Sequence, residues 1–344
     1  MMDPHQIELS REVIIGNEAY REFPKILDKL GLKGPALLLC DETTFEVAGE
    51  EVKDILEREG YAVEKMICKD VTQEELDRVL REAEHFRFVL GVGGGRIIDT
   101  AKYVGTEESV PYISVPTAPS HDGIASSRAT INKEDRRYSY EADAPMAIVA
   151  DIGVISNAPY ELIAAGCGDL LSNITAVEDW KLGQSDNNEY YSDYAAALSV
   201  LAAEMVISSA DMIKEREERG IRNLVKALIS AGIAMSIAGS SRPCSGADHQ
   251  FSHALDYIAE EPDNHGIQCA MGALVSAEMR GMDYSKIKEA MVKLRIPTEV
   301  SDTSFSEEEA IRAWNEAGDI RERYTVLDVK EEDTESLFKR AGII

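Results

Sequence analysis

The spacing of apolar residues changes once along this chain, near residue 156, and that change is the feature that most constrains its fold. Before it, short apolar runs alternate with amphipathic stretches of helical period. Five runs predict strands: PALLLCD, YAVEKMIC, FRFVLGV, PYISVPT and MAIVAD. Strands that alternate with helices form a mostly parallel sheet with helices on both faces. We therefore predict an α/β domain over residues 1–156, with a hairpin projecting from it at RATINKEDRRYSYE.

Beyond residue 156 the strand pattern stops. The long segments that follow, from PYELIAAGCGDLLSNITAVEDWKL to DHQFSHALDYIAEE, fit a period of 3.6 residues, with glycine and proline at their ends. We predict an all-α domain over residues 157–344. Ligands of such architectures bind in the cleft between domains, near the carboxyl ends of the strands, and we expect the active site there.

Charge and composition exclude several classes of protein. The formal net charge is −27, which opposes binding to nucleic acid or to an anionic membrane, so an anionic substrate would need a locally positive pocket. The N-terminus shows no secretory signal, and the apolar stretch at 195–210 contains Glu204 and is too short to span a bilayer. We expect a cytoplasmic protein with no integral membrane segment. Its five widely spaced cysteines should be reduced and buried, without forming a soft-metal site.

A glycine cluster follows one predicted strand in FRFVLGVGGGRIIDTAKYV. Gly93, Gly94 and Gly95 have no Cβ, so a phosphate could approach their backbone and meet the free N–H groups of the next helix. The cluster matches neither common nucleotide-binding motif. Arg96 stands where GxGxxG would have its third glycine, and no Gly-Lys-Ser/Thr follows. From the residues alone, phosphate binding and a plain tight turn remain equally open.

Two other segments of the first domain carry polar groups at the ends of predicted strands. Asp41 ends the first of them, where an acid can bind the adenosine ribose of a dinucleotide or cap the following helix. The segment SVPTAPSHDGIASS follows the fourth and is dense in polar side chains, among them Thr117, Ser120, Asp122 and Ser126. Such a loop can hydrogen-bond a ligand at the sheet edge, but its composition also fits a plain surface loop.

Three of the six histidines lie between residues 249 and 265. His249 and His253 are four residues apart and share one face of a helix. Two imidazoles and a carboxylate suit Zn²⁺ with an open fourth position, or Fe²⁺. His265 follows a break at Pro262, and Asp169 in AGCGDLLSN could supply the carboxylate or cap a helix. Spacing alone leaves a second interpretation, in which the histidines are exposed helix residues without a role.

Taken in order, GGGRIID, PTAPSHDGIAS, GCGDLLSN, HQFSHALD and NHG resemble the sn-glycerol-1-phosphate dehydrogenase family. That family belongs to the superfamily of iron-containing alcohol dehydrogenases, glycerol dehydrogenase and dehydroquinate synthase. The resemblance covers nearly the whole chain. SHDGIAS together with HQFSH is its specific part, whereas the glycine loop and the metal pattern are shared across the superfamily. Ser127 departs from the family, which more often has proline there. The resemblance implies a Rossmann-like sheet in the first domain and an all-α second domain.

The resemblance also implies roles for the residues at matching positions. The predicted cofactor-binding residues are then Asp41, Gly93, Gly94, Gly95, Arg96, Asp99, Thr117, Ser120 and Ser126. Asp169, His249 and His265 would bind one Zn²⁺ per subunit, while Asp122 and His253 would contact the substrate. The catalytic residues would be Asp122, Asp169 and His253, with Asp169 also facing the substrate.

The implied reaction is hydride transfer from C4 of NAD(P)H to C2 of dihydroxyacetone phosphate, with the metal acting as a Lewis acid on the ketone oxygen. The product, sn-glycerol 1-phosphate, would enter archaeal-type ether lipid (glycerophospholipid) biosynthesis, and such enzymes form homo-oligomers. The alternatives are a glycerol dehydrogenase or a dehydroquinate synthase-like enzyme of the same superfamily, and a non-catalytic metal- or nucleotide-binding protein. The sequence leaves open the preference between NADH and NADPH and the basic residues that hold the substrate phosphate.

Overall fold

The computed structural model describes residues 7–69, 71–133, 136–329 and 331–344. These residues form two compact units, one that ends at Pro159 and one that begins at Tyr160. The first unit is a parallel sheet with helices, and the second is helical. This order confirms the predicted fold class, an α/β region followed by an all-α region.

Six of the described strands of the first unit form one parallel sheet, in the order β1-β8-β5-β4-β2-β3. The strands in chain order are β1 (Glu12–Gly16), β2 (Ala36–Cys40), β3 (Val63–Ile67), β4 (Phe88–Gly93), β5 (Tyr112–Pro116), β6 (Arg128–Lys133), β7 (Arg136–Glu141) and β8 (Ala147–Asp151). β6 and β7 pair antiparallel, which confirms the predicted hairpin. The sequence did not predict β1.

The central strands are apolar along their whole length and do not alternate between apolar and polar residues, which is typical of a parallel sheet. Every residue of β2, β4, β5 and β8 is buried, as expected for strands covered on both faces. Leu38 in β2 packs into the cluster on one face of the sheet, and Leu37 packs into the cluster on the other. The central strands are therefore fixed by two cores at once.

The helices of the first unit cover this sheet. They are α1 (Phe23–Leu30), α2 (Glu42–Thr44), α3 (Glu50–Arg58), α4 (Gln73–Ala83), α5 (Gly95–Glu107) and α6 (Ile152–Ser156). A π-helical segment, Phe45–Gly49, joins α2 to α3. The amphipathic stretches between the predicted strands are EVAGEEVKDILEREG, TQEELDRVLREAEH and RIIDTAKYVG, and they correspond to α3 with that segment, α4 and α5. The sequence did not predict α1.

The second unit contains eight described α-helices, of which the first is the longest, with 28 residues. They are α7 (Tyr160–Asn187), α8 (Asp193–Lys214), α9 (Glu218–Ala238), α10 (Ala247–Ile258), α11 (His265–Arg280), α12 (Ser285–Lys293), α13 (Glu307–Glu316) and α14 (Thr334–Ala341). Trp180 in α7 and Phe251 in α10 are among the largest fully buried side chains. No strand lies among the described residues of this unit.

Two helices of the second unit, α8 and α9, are long and apolar enough to cross a membrane by length and composition alone. The stretch predicted as too short lies within α8, which is 22 residues long. Buried core helices pass the same test, and 72% of the apolar window of α9 is buried inside the protein. These helices are therefore weak evidence for a membrane span.

Candidate functional site

Neighbouring strands bring three of the predicted cofactor segments to one edge of the sheet. β2, β4 and β5 are consecutive in the sheet and parallel, so their carboxyl ends lie side by side. Asp41 follows β2, Gly94 follows β4, and Thr117 follows β5. The backbone N–H of Thr117 donates to the carbonyl of Gly93, which ties two of these segments together. Such an edge is where doubly wound sheets bind their ligands.

The glycines at the end of β4 are needed for different structural reasons. A Cβ on Gly93 would lie 2.7 Å from Cβ of Ile97, so this glycine lets the strand pack against α5. A Cβ on Gly94 would meet nothing within 4 Å, so its backbone borders open space at the N-cap of α5. The combination of an open glycine and a helix start is suited to binding a phosphate through backbone N–H groups.

His121, a residue without a predicted role, fills the space beside the third glycine. A Cβ on Gly95 would lie 1.9 Å from His121 Nε2, and a Cβ on Gly123 would lie 2.1 Å from its Cε1. The imidazole therefore occupies a slot between two glycines. The backbone N–H of Gly123 donates to His121 Nδ1 at 2.8 Å, so the neutral ring carries its proton on Nε2, facing the start of α5.

Asp99 and Ser126, two predicted cofactor-binding residues, form hydrogen bonds to other residues of the protein. Asp99 is buried; Oδ2 accepts from the backbone N–H of Thr130 at 3.0 Å, and Oδ1 faces the ammonium of Lys102 at 3.2 Å. Lys102 is fully buried and also donates to Gly123 O at 2.9 Å and to Ser126 Oγ at 3.4 Å. These contacts fix the loop after β5 and the hairpin to α5. Cofactor contacts by Asp99 and Ser126 stay predictions.

The remaining predicted residues of the first unit lie at the same edge. Asp41 caps α2, because its Oδ1 accepts from the N–H of Thr44 at 2.7 Å, so the capping alternative is realised. Ser120 and Asp122 are half-buried in the loop after β5, and Asp122 starts a short 3₁₀ helix. Arg96 is exposed in the first turn of α5. Their ligand contacts also stay predictions.

A cluster of metal-ligating side chains lies in the second unit. Ligand atoms of four residues lie within 4.8 Å of one another: Asp169, His249, His265 and Cys269. Asp169 lies in α7, His249 in α10 and the other two in α11. His249 Nε2 is 3.5 Å from Asp169 Oδ1. The predicted ligands Asp169, His249 and His265 therefore converge, although they are far apart in sequence.

Two glycines, Gly168 and Gly266, explain how α7 and α11 come close enough for their ligand residues to converge. A Cβ on Gly168 would lie 2.3 Å from the carbonyl oxygen of Gly266, and a Cβ on Gly266 would lie 1.8 Å from that of Ala165. α7 and α11 therefore touch backbone to backbone, directly beside Asp169 and His265. The cluster depends on two residues without side chains as well as on its ligands.

Hydrogen bonds orient both imidazoles of the cluster. His249 Nδ1 lies 2.7 Å from the buried carboxylate Oδ1 of Asp248, to which it donates, leaving Nε2 to face Asp169. Ser252 Oγ donates its only proton to Gln268 Oε1 at 2.6 Å, so it accepts from His265 Nδ1 at 2.8 Å. With Nδ1 donating, each neutral imidazole keeps the lone pair of Nε2 available for a metal ion. Metal-binding histidines usually have their other ring nitrogen hydrogen-bonded in this way.

The electrostatics of the cluster favour a cation. Burial opposes protonation of His249, but Cys269, Asp169 and Asp248 outweigh it and hold the pKa of His249 well above its usual range. The same groups would favour a metal ion at Nε2. Burial raises the pKa of the Cys269 thiol to about 11, and a protonated thiol is a poor metal ligand. All five cysteines are free and buried, as predicted.

His253 differs from the two cluster histidines. Its ring stacks against His265 with centroids 5.5 Å apart, while its centroid lies 6.5 Å from that of His249. Burial lowers the pKa of His253 to about 4, so it is neutral at pH 7. It is absent from the group of four converging ligand atoms. His253 therefore lies beside the cluster and can present a neutral imidazole to a ligand.

Comparisons with known proteins find relatives that agree in family. A family model for iron-containing alcohol dehydrogenases matches residues 14–159. The chain is 45% identical to glycerol-1-phosphate dehydrogenase [NAD(P)+] of Methanosarcina acetivorans, over 93% of this chain and 91% of that protein. It is 44% identical to the protein of the same name from Methanothermobacter thermautotrophicus, over 95% of this chain and 94% of the relative.

Among solved structures, the chain is similar to glycerol dehydrogenase from Schizosaccharomyces pombe, with a TM-score of 0.81 and 19% identity. The match covers 99% of this chain and 90% of that one. At this level of identity the likeness concerns the fold. It agrees with a parallel sheet followed by a helical region.

Proposed function

This chain belongs to the glycerol-1-phosphate dehydrogenase family of the iron-containing alcohol dehydrogenases, and from that premise we propose the reaction it catalyses. It reduces dihydroxyacetone phosphate to sn-glycerol 1-phosphate with NADH or NADPH. The observation that carries this assignment is the convergence of Asp169, His249 and His265 in a chain so similar to named relatives over nearly its full length. Intact ligands at all three metal positions argue against a non-catalytic protein that keeps only the fold.

We assign the metal to Asp169, His249 and His265, and we propose Zn²⁺, one ion per subunit. Two imidazoles and a carboxylate suit Zn²⁺ or Fe²⁺, and three protein ligands leave a position for a substrate oxygen. A bound ion would supply a Lewis acid for the ketone. Support for these ligands comes from Asp248 and Ser252, which hold the far nitrogen of each imidazole in place.

For the cofactor, we propose that the diphosphate binds at Gly93, Gly94 and Gly95, through backbone N–H groups at the start of α5. When bound, the reduced nicotinamide would supply the hydride for C2 of the substrate. Asp41 would accept hydrogen bonds from the adenosine ribose, and the further cofactor contacts would come from Arg96, Asp99, Thr117, Ser120 and Ser126. The open space at Gly94 supports this placement.

For the substrate, we propose contacts from Asp122 and His253, with Asp169 facing it from the metal site. Because His253 is neutral at pH 7, it would donate or accept a hydrogen bond without bringing a charge beside the metal ligands. Its role is then to orient the carbonyl group, and positioning of this kind accounts for a large part of catalytic rate enhancement.

Two further assignments are proposals. We divide the roles between residues 1–156, for the dinucleotide, and 157–344, for the metal and substrate. We place the enzyme in the cytoplasm as a homo-oligomer that serves ether lipid (glycerophospholipid) biosynthesis. The half-exposed α8, with Tyr194 65% and Leu201 47% exposed, supports an oligomer, because large exposed apolar side chains on one helix favour association.

The alternatives within the superfamily differ in their substrate. A glycerol dehydrogenase would not distinguish a phosphorylated ketone, and a dehydroquinate synthase would eliminate phosphate while using NAD transiently. The fold is shared with glycerol dehydrogenase, so fold alone does not separate them. The full-length relatives favour glycerol-1-phosphate dehydrogenase.

One assay tests the assignment. Oxidation of NADH and of NADPH is followed with dihydroxyacetone phosphate, with dihydroxyacetone, and with no ketone. We expect kcat/KM for the phosphorylated ketone to be far higher, because its phosphate contributes binding energy that orients the carbonyl. Equal values would move the assignment to glycerol dehydrogenase. A stereospecific assay should find the sn-1 product, and the sn-3 enantiomer would refute the family's reaction.

A further inference from the structure

Dihydroxyacetone phosphate carries a doubly charged phosphate one carbon away from its ketone. If the ketone binds at the cluster of Asp169, His249 and His265, the phosphate must bind a short distance from that cluster. The chain as a whole carries a net charge of −27, which repels such a substrate. A group of cations must therefore lie near the cluster, and the second unit contains one.

Three arginines meet at the start of α10, the helix that carries His249 and His253. They are Arg242, Arg321 and Arg323. The segment 321–326 is hydrogen-bonded to this helix and to Ser245, just before it. Thr325 Oγ1 donates to Gln250 Oε1 at 3.0 Å, and Gln250 Nε2 donates to the carbonyl of Arg321 at 3.4 Å. Since Gln250 directly follows His249, this segment is fixed next to the metal-binding turn.

The contacts of the three arginines differ. Arg242 is 4% exposed and forms an ion pair with Glu189 through two of its nitrogens. Arg323 donates to the carbonyl of Ser245 and to Ser241 Oγ, so it holds two backbone turns together. Arg321 donates through Nη2 to Ser245 Oγ, four residues before His249. Its positive charge also reaches His253, where it adds to the lowering of the pKa that burial causes.

We propose that Arg321 binds the phosphate group of the substrate, with Arg323 behind it adding positive charge, and that this contact makes the enzyme specific for a phosphorylated ketone. The inference rests on the proposed function, because it names the subsite of that reaction's own substrate. A planar guanidinium can donate two parallel hydrogen bonds to phosphate oxygens, which adds geometric selectivity to charge.

Charge crowding supports this assignment. Burial, together with the like charges of Arg321 and Arg242, holds the pKa of Arg323 well below its usual range. A half-buried cation beside two others is costly unless an anion compensates it. The carboxylates that offset Arg323 are Glu189, already paired with Arg242, and Asp248, already bonded to His249. A phosphate dianion would relieve this repulsion.

The test uses two variants at one position. Arg321→Gln keeps a donor for Ser245 but removes the charge, so we expect kcat/KM for dihydroxyacetone phosphate to fall about 100-fold, mainly through KM. The ratio of that value to kcat/KM for dihydroxyacetone should fall by a similar factor. Inorganic phosphate should compete with the substrate in the wild-type enzyme and compete at least about tenfold more weakly in Arg321→Gln. Arg321→Lys, which restores charge without the planar fork, should recover part of the loss.

The matched control is Arg312→Gln, because Arg312 is an exposed arginine of the same unit paired with Glu316 at 2.8 Å. It should change neither ratio nor inhibition. If Arg321→Gln lowers the activity on both ketones equally, with phosphate inhibition unchanged, Arg321 has only a structural role and the proposal is wrong. A wild-type enzyme that does not prefer the phosphorylated ketone would instead refute the proposed function.

A measurement on the wild-type enzyme covers the case in which the variant does not fold. Arginine-selective labelling, followed by peptide mapping, is compared with and without inorganic phosphate. We expect phosphate to protect Arg321 and to leave Arg312 equally labelled. Equal labelling of Arg321 in both samples would contradict the proposal without any variant.

Discussion

Both candidate sites depend on glycines, but for opposite reasons. At the end of β4, Gly94 borders open space, so its missing side chain leaves room for a ligand. Between α7 and α11, Gly168 and Gly266 border no space at all, and their missing side chains let two helix backbones touch. The first site is made of backbone groups around a gap. The second is made of side chains that converge because the helices under them are close.

This difference leads to different sensitivities. A site made of backbone N–H groups keeps its hydrogen-bond donors when a glycine is replaced. Its affinity for a ligand then falls only as far as the new side chain fills the space that the ligand needs. A site made of three ligands loses its metal when one ligand goes, because a carboxylate and a single imidazole bind a metal far more weakly than the full set. Substitutions in the second unit should therefore have larger effects than those in the first.

The largest effect is expected from His249→Ala. Removing this imidazole takes one hydrogen-bond partner from Asp248 and one ligand from the metal site. We expect metal and activity to be lost together, with kcat/KM down about 10⁴-fold. Metal content by plasma emission spectroscopy is measured beside activity. His85→Ala, at an exposed histidine of the first unit, is the control and should change neither. A metal-replete but inactive His249→Ala would show that His249 is not a ligand.

His253→Ala should lower activity less than His249→Ala does and should leave metal binding intact. Its ring lies outside the group of converging ligand atoms, so we expect close to one metal per subunit. Loss of the substrate contact should lower kcat/KM about 10²- to 10³-fold. The same metal and activity measurements decide the matter. If this variant is as metal-poor as His249→Ala, then His253 is a ligand and the division between the two histidines is wrong.

Gly266→Ala tests the helix contact without changing any ligand. Its Cβ would lie 1.8 Å from the carbonyl oxygen of Ala165, so α7 and α11 must separate and carry Asp169 away from His265. We expect activity to fall about 100-fold, because displacements of about 1 Å at a site have that cost. Metal affinity should fall as well, measured by competition with a chelator. Gly318→Ala, at a glycine with no atom near its Cβ position, should leave metal affinity unchanged.

The fold was more predictable than either site. The central strands are uniformly apolar and lie between clear helical patterns, so the α/β region followed by helices could be inferred from spacing. β1 (EVIIG), which is as long as β2, and α1, a helix of eight residues, were both missed. β1 lies at the sheet edge with its residues only partly buried, where the apolar signal is weak.

A site was predictable from the sequence when its residues are close together along the chain. The glycine loop is a strand, a turn and a helix in one short segment, so its residues suggest a phosphate site by themselves. The convergence of Asp169 with His249 depends on the packing of α7 against α10 and α11, which spacing does not encode, and only the family resemblance pointed to it. His121 and Arg321 were missed because their contacts, with Gly95 and Ser245, are also distant in sequence.

In the first unit, Gly94→Val should act on the cofactor alone. Its side chain meets no protein atom at Cβ, so the fold is not strained, but it projects into the space where we place the diphosphate. We expect NADH affinity to fall about tenfold, with metal content unchanged. Fluorescence titration measures the affinity, and Gly94→Ala should give a smaller loss. Unchanged NADH binding by Gly94→Val would contradict the placement.

The smallest effect is expected from Asp41→Asn, because it changes one partly exposed charge. Asparagine caps a helix about as well as aspartate, so the bond to the N–H of Thr44 should persist and α2 should keep its start. What changes is the repulsion between the carboxylate and the 2′-phosphate of NADPH. We expect the ratio of kcat/KM for NADPH to that for NADH to rise about two- to fivefold, in line with the energy of one exposed charge pair. Asp54→Asn, which removes an exposed charge elsewhere on the same unit, should leave the ratio unchanged. An equal ratio in Asp41→Asn and wild type would mean that Asp41 only caps the helix and that the adenosine ribose binds elsewhere.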